Sequence, residues 1–162
     1  MVERMENSSY SNNNGLLKFR EHVFQVTARD IKRFAQAIGD TNPLYVDEAF
    51  AKQSPFGAII APPLFCQAMA FEDVPVDELP TDLSPVELAV DLPVNRTVGG
   101  ASQYDFYQYI SPGDTITVTS SIVSVEQKQG RSGVLFLVSV ETRFKNQFGE
   151  RVAKEVATYV KK

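Results

Sequence analysis

Residues 64–70, Leu-Phe-Cys-Gln-Ala-Met-Ala, follow directly on Pro62-Pro63, and Pro63 suits the first turn of a helix, where a backbone N–H would be unpaired anyway. In that helix Leu64, Phe65, Cys66, Ala68, Met69 and Ala70 leave almost no polar side. Such a helix has to be enclosed by other structure, and an antiparallel sheet curved around it would supply the enclosure.

The last third of the chain reads as that sheet. DFYQYI is followed by a Ser111 to Asp114 turn, TITVTSSIVSVE by a Gln129-Gly130 turn, GVLFLVSVETRF by an Asn146 to Gly149 turn, and ERVAKEVATYV closes the series. These runs predict four long antiparallel strands in a meander. Val134, Phe136, Val138, Val140 and Phe144 share one face, Leu135 and Leu137 show the other face partly covered, and Ser120-Ser121 suggests a bulge. Upstream, Phe19 to Val26 is rich in β-formers. Thr27 and Asp30 then open an amphipathic helix carrying Ile31, Phe34, Ala35 and Ile38 as far as Gly39. The expected class is α+β, one domain over 16–162 without internal repeats, preceded by a Ser- and Asn-rich tail at 1–15.

Composition narrows the function. Sixteen Lys and Arg against 20 Asp and Glu give a net charge of −4, which argues against a nucleic-acid partner. One Cys and one His exclude an internal disulfide and a zinc site of the usual Cys/His type. The acidic stretch 72–95 has no ligand spacing, so it reads as a solvated connection, and no metal or cofactor is expected. Neither a signal-peptide core nor a run of ~18 apolar residues is present, so the expected location is the cytoplasm, with no membrane partner.

Chemistry concentrates in Gly39-Asp40-Thr41-Asn42-Pro43-Leu44-Tyr45-Val46-Asp47 and in Phe56-Gly57-Ala58-Ile59-Ile60-Ala61-Pro62-Pro63. In spacing these segments resemble the MaoC-like dehydratase/hydratase family of the hot-dog fold, whose patterns run D-x-N-P-x-H-x-D and F-G-x-x-I-A-H-G. The resemblance covers most of residues 19–160. It implies a curved sheet around a central helix and reversible hydration of a trans-2-enoyl thioester to an (R)-3-hydroxyacyl thioester on coenzyme A or acyl carrier protein. It also assigns water activation to the positions of Asp40, Asn42 and Tyr45. Substrate binding goes to Gly57, Ile60, Ala61, Pro62, Pro63 and Phe65, and to Gly99 and Gly100 in the strand beside the substrate.

The chain departs from both patterns at the reacting groups. Tyr45 replaces the motif histidine, and a phenol with a pKa of ~10 is a poor proton acceptor. Pro62-Pro63 replaces His-Gly, which removes the amide expected to bind the thioester oxygen. Together with the Ala61 to Phe65 run, these changes resemble the N-terminal-type half of double hot-dog dehydratases. That resemblance implies an acyl-binding subunit in a homodimer or in a heterodimer with a catalytic MaoC-like chain. A self-sufficient hydratase using Asp40, a thioesterase, and an acyl-thioester binding protein without chemistry are the alternatives.

Several residues keep plainer readings. Asp40 and Asn42 serve equally as turn caps, His22 as a strand histidine and Cys66 as a small hydrophobe. Phe65, Met69, Phe71, Tyr104, Phe106 and Tyr107 line an acyl tunnel or simply fill the core. An edge strand left by the curved sheet predicts at least a dimer.

Overall fold

In the computed structural model the described residues are 19–70, 92–94, 96–131 and 133–162. The expected tail 1–15, Phe71 and most of the acidic connection lie outside them. The elements are β1 (Phe19–Gln25), α1 (Ala28–Ala37), α2 (Pro43–Val46), α3 (Glu48–Gln53), α4 (Phe65–Met69), β2 (Thr97–Phe106), β3 (Thr115–Gly130), β4 (Gly133–Lys145) and β5 (Arg151–Lys161). One five-stranded antiparallel sheet has the order β1-β3-β4-β5-β2, and α4 packs into it.

The order corrects the expected four-strand meander, which holds only for β3-β4-β5. Residues 111–114 do not close a hairpin between β2 and β3. Instead Val26 N–H donates to the Asp114 carbonyl at 2.9 Å and Gly113 N–H to the Val26 carbonyl at 2.9 Å, so the turn docks on the end of β1. Strand β2 consequently lies on the far side of the sheet, paired with β5. It also ends at Phe106, while Tyr107 and Gln108 donate their N–H groups to the Val152 carbonyl and leave the ladder.

Helix α1 begins as its sequence predicts: Thr27 Oγ1 accepts from Asp30 N–H at 3.2 Å and Asp30 Oδ2 accepts from Thr27 N–H at 3.1 Å. The bulge of β3 lies between Ile122 and Ser124 rather than at Ser120-Ser121. Ser120 faces inward and shares a buried 3.0 Å hydrogen bond with Thr142, so inward-outward alternation continues through it to Ile122.

The core gathers Phe65, Cys66, Met69 and Ala70 of α4 with Ile116 and Val118 of β3, Phe144 of β4 and Val152 of β5. The expected full enclosure of α4 is realised on one side, because Leu64, Gln67 and Ala68 remain exposed. A second cluster, Ile122, Phe136, Val138 and Val140, occupies the sheet farther along.

At the edge, Gly100 is the extra residue of a bulge between Gly99 and Ala101. A methyl group there would stand 2.7 Å from the Thr158 carbonyl oxygen, a backbone atom held in the β5 ladder. Gly100→Ala is expected to cost ~1–3 kcal/mol, the range of an overpacked site. A urea-unfolding midpoint equal to that of the wild type would contradict it.

Candidate functional site

The first polar segment is a chain of turns. Gly39, at φ 71°, ends α1, and Asp40 N–H returns to the Ala35 carbonyl at 2.9 Å. Asp40 Oδ1 then accepts Asn42 N–H at 3.0 Å, and Asn42 Oδ1 accepts Leu44 N–H at 3.1 Å, starting α2. Asp47 Oδ1 caps α3 through Ala49 and Phe50 N–H at 2.9 and 3.0 Å. Short side-chain acceptors two or three residues ahead of an amide favour such turns over continued helix. One oxygen each of Asp40, Asn42 and Asp47 is thereby occupied by the backbone, and Tyr45 packs half-buried against the core.

The second segment is tied to the first and to the end of β2. Ile60 N–H donates to the Leu44 carbonyl at 3.3 Å and Ala61 N–H to the Ile110 carbonyl at 2.8 Å. Pro62 and Pro63 carry no N–H. From Ile60 to Pro63, therefore, every amide proton is either consumed or absent. Oxyanion stabilisation needs a donor aimed at the developing charge, and this stretch offers none.

A cavity of about 270 Å³ opens where these segments meet the sheet, lined by Ala61, Pro62 and Pro63, by Phe106 to Ile110, and by Val152 and Ala153. Two lining aromatics carry outer contacts: Arg151 lies 4.7 Å from the centre of the Tyr107 ring, and Tyr109 meets Phe56 edge-on at 4.6 Å. Of the residues singled out from sequence, Ala61, Pro62, Pro63, Phe106 and Tyr107 come together here. Phe65 and Met69 are instead fully buried core, and Gly57 sits at φ 69° in an exposed turn. Gly99 and Gly100 are six to seven residues from Phe106 along β2, roughly 20 Å at strand rise.

Sequence reasoning missed a buried polar row beside this cavity. Ser120, Thr142, Glu155 and Tyr104 are register neighbours on β3, β4, β5 and β2. Glu155 is only 5 % exposed, and its Oε1 accepts the Tyr104 O–H at 2.5 Å. Burial and the neighbouring carboxylate push the Tyr104 phenol above its ordinary range. The signal lay in Ala153-Lys154-Glu155-Val156-Ala157, where strict alternation points Glu155 the same way as the small core residues.

With the geometry in place, comparison with known families is decisive. Residues 17–155 match the family described as FAS1-like, dehydratase domain region. The chain belongs to that family. Among curated relatives of this FAS1-like dehydratase chain, a UPF0336 protein of Parafrankia sp. is 33% identical over 137 residues, covering 85% of this chain and 83% of the relative. A probable enoyl-CoA hydratase alpha subunit of Thermomonospora curvata is 29% identical over 132 residues, covering 77% of this chain and 41% of the relative.

Solved structures share the hot-dog fold. The ChsH1-ChsH2 complex of Mycobacterium tuberculosis aligns with a TM-score of 0.72 at 21% identity, over 88% of this chain and 86% of that one. The HadBC (3R-hydroxyacyl-ACP dehydratase) complex of the same organism gives 0.67 at 21%, over 89% and 95%. R-hydratase PhaJ1 of Pseudomonas aeruginosa gives 0.62 at 22%, over 94% and 84%.

Two remaining reactive side chains of this FAS1-like dehydratase chain are engaged elsewhere. His22 Nε2–H reaches the Met69 carbonyl at 2.8 Å, at the end of α4 and away from the cavity lining. Cys66 is fully buried, and burial together with Glu155 pushes its thiol up to about 12. A thiol held protonated and out of reach is inert to alkylation and exchange. Ellman's reagent at pH 8 should therefore titrate no thiol in the native protein and one in urea. Rapid native labelling would place Cys66 at an opening of the core.

Among the described residues no helix is long and apolar enough to cross a membrane.

Proposed function

We propose that this chain is the acyl-binding subunit of an (R)-3-hydroxyacyl-coenzyme A or acyl-carrier-protein dehydratase of fatty acyl metabolism, acting as an enoyl thioester hydratase in reverse. Proton transfers come from a MaoC-like hot-dog partner. The observation that carries the proposal is the absence of any free amide N–H from Ile60 to Pro63. Hydration of an enoyl thioester places negative charge on the thioester oxygen while water adds at C3 and a proton at C2, and preorganised N–H groups are the usual means of holding that charge. This chain keeps the scaffold of such a site without its donor, and Tyr45 replaces the base.

What remains suits binding. Ala61, Pro62 and Pro63 give the cavity an apolar wall, Ile60 ties that wall to α2, and Gly57 turns the chain toward it after α3. Asp40 and Asn42 keep the turn in which a catalytic carboxylate and amide would stand. Gly99 and Gly100 shape the edge strand through which another hot-dog domain can extend the sheet. The name of the Thermomonospora relative, an alpha subunit, and the two-component complexes among the structural neighbours support a heteromeric assembly. Residues 16–162 then form one hot-dog domain, working on a thioester substrate in the cytoplasm without metal or cofactor.

The test is hydration of crotonyl-coenzyme A by this chain, by a MaoC-like protein bearing the intact D-x-N-P-x-H motif, and by the two together. Activity confined to the mixture, or strongly raised in it, is the expected outcome. Full activity of this chain alone defeats the subunit assignment in favour of a self-sufficient hydratase. Release of free thiol identifies a thioesterase, and tight binding with no turnover in any combination identifies a binding protein.

A further inference from the structure

The polar row lies one inward-facing pair beyond the cavity lining along β2 and β5. Phe106 and Ala153, which line the cavity, are register partners, and Tyr104 and Glu155 are the next inward-facing pair along the same two strands. Two residues of strand separate the pairs, about 7 Å. The Tyr104 ring lies parallel to that of Phe106, 3° apart in plane with centres 5.8 Å apart, so the two rings form one continuous wall. On the helix side Cys66, fully buried, belongs to the core cluster on which Tyr104 packs, and its raised pKa reports the nearby Glu155 carboxylate. Phe65 and Met69, 1 % and 0 % exposed, fill the same core cluster.

The row is satisfied internally. Glu155 takes its hydrogen bond from Tyr104, and Ser120 and Thr142 take theirs from each other. A polar group entering from the cavity would have to displace a bond already made. An alkyl chain would do worse: pushing Tyr104 aside strips a buried carboxylate of its donor, and a buried charge without its partner is strongly unfavourable. Lined as it is, a cavity of about 270 Å³ sits just under the usual size range of small-molecule sites.

We infer that the Tyr104–Glu155 pair is a stop that limits how deep an acyl tail can run, making this subunit a receptor for short-chain acyl thioesters and setting its chain-length specificity. The inference rests on the acyl-thioester assignment above and adds to it a substrate class and two specificity-determining residues.

Titration of the full-length chain with butyryl-coenzyme A and dodecanoyl-coenzyme A, each below its micelle concentration, tests it by calorimetry. The expected result is that butyryl binds at least ten-fold more tightly than dodecanoyl. Equal affinity, or preference for dodecanoyl, overturns the stop while leaving the acyl-thioester assignment intact; binding of neither removes both.

A double variant, Tyr104→Phe with Glu155→Leu, replaces both partners by apolar groups, the change least damaging to a buried pair. Its circular dichroism and unfolding midpoint establish that it folds. In the folded variant the preference for butyryl should fall by about ten-fold, because the tail no longer meets a charge. An unchanged preference there would assign the limit to cavity shape and overturn the role of the pair. The wild-type comparison stands by itself if the variant does not fold.

Discussion

Phe65→Ala is expected to destabilise the protein by ~3–5 kcal/mol, the range for removing a buried Phe when its surroundings cannot collapse. Phe65 is 1 % exposed and receives two edge-on rings, Phe24 at 6.1 Å and Phe34 at 5.6 Å, both inclined by 80°. Those rings come from β1 and α1, so one side chain joins the edge strand, the outer helix and the central helix. Its loss removes the transfer energy of a whole aromatic side chain, two aromatic contacts and the packing among three elements. Against a total stability of roughly 5–15 kcal/mol, that is a large fraction. The melting temperature should fall by roughly 6–20 °C. Phe148→Ala, at a position 77 % exposed in the β4–β5 turn, is the control and should move stability by no more than ~0.5 kcal/mol. A Phe65→Ala loss as small as that of the control would mean that the three elements are held together elsewhere.

The same residue shows how far the sequence could be read. That Phe65 is buried follows from the apolar run around it; that it joins three elements, and does not line the cavity, depends on where α1 and β1 lie. Local signals were read well where they are local in nature. Thr27 with Asp30 and Gly39 bracket α1, and the long alternating runs mark β3, β4 and β5. The short helices α2 and α3 were not anticipated, although Asn42 and Asp47 cap them, because each is too short to develop a periodicity.

Non-local pairing was less legible. Nothing in Ser111 to Asp114 distinguishes a hairpin turn from one that docks on β1, so the position of β2 could not be read from it. Ser120 looks like a break in alternation only until Thr142 is known to stand opposite. Glu155 is hidden for the same reason: a charged residue in a strand reads as solvent-facing unless its buried acceptor role, through Tyr104 51 residues away, is known. At the site, the covalent fact that proline lacks an N–H could be read directly. The occupation of the Ile60 and Ala61 amides by Leu44 and Ile110 could not, since Ile110 belongs to a segment expected to be strand.

If proton transfer belongs to the partner, replacing the motif bases should have opposite results in the two chains. Asp40→Asn keeps Oδ1, and with it the bond from Asn42 N–H, so the turn into α2 survives the loss of the carboxylate. In the mixed assembly this variant should hydrate crotonyl-coenzyme A within about two-fold of wild type. Replacing the corresponding Asp or His of the partner should lower the rate ~10²–10⁴-fold, the usual worth of a positioned acid or base. Tyr45→Phe belongs with Asp40→Asn, because its ring packs on the core and a phenol contributes little base strength near neutrality. Because the Asp40 change is nearly isosteric, a large loss could not be ascribed to unfolding. Observed alone, without loss on replacing the partner's base, it would move the chemistry into this chain and require a water held by Asp40 through its second oxygen.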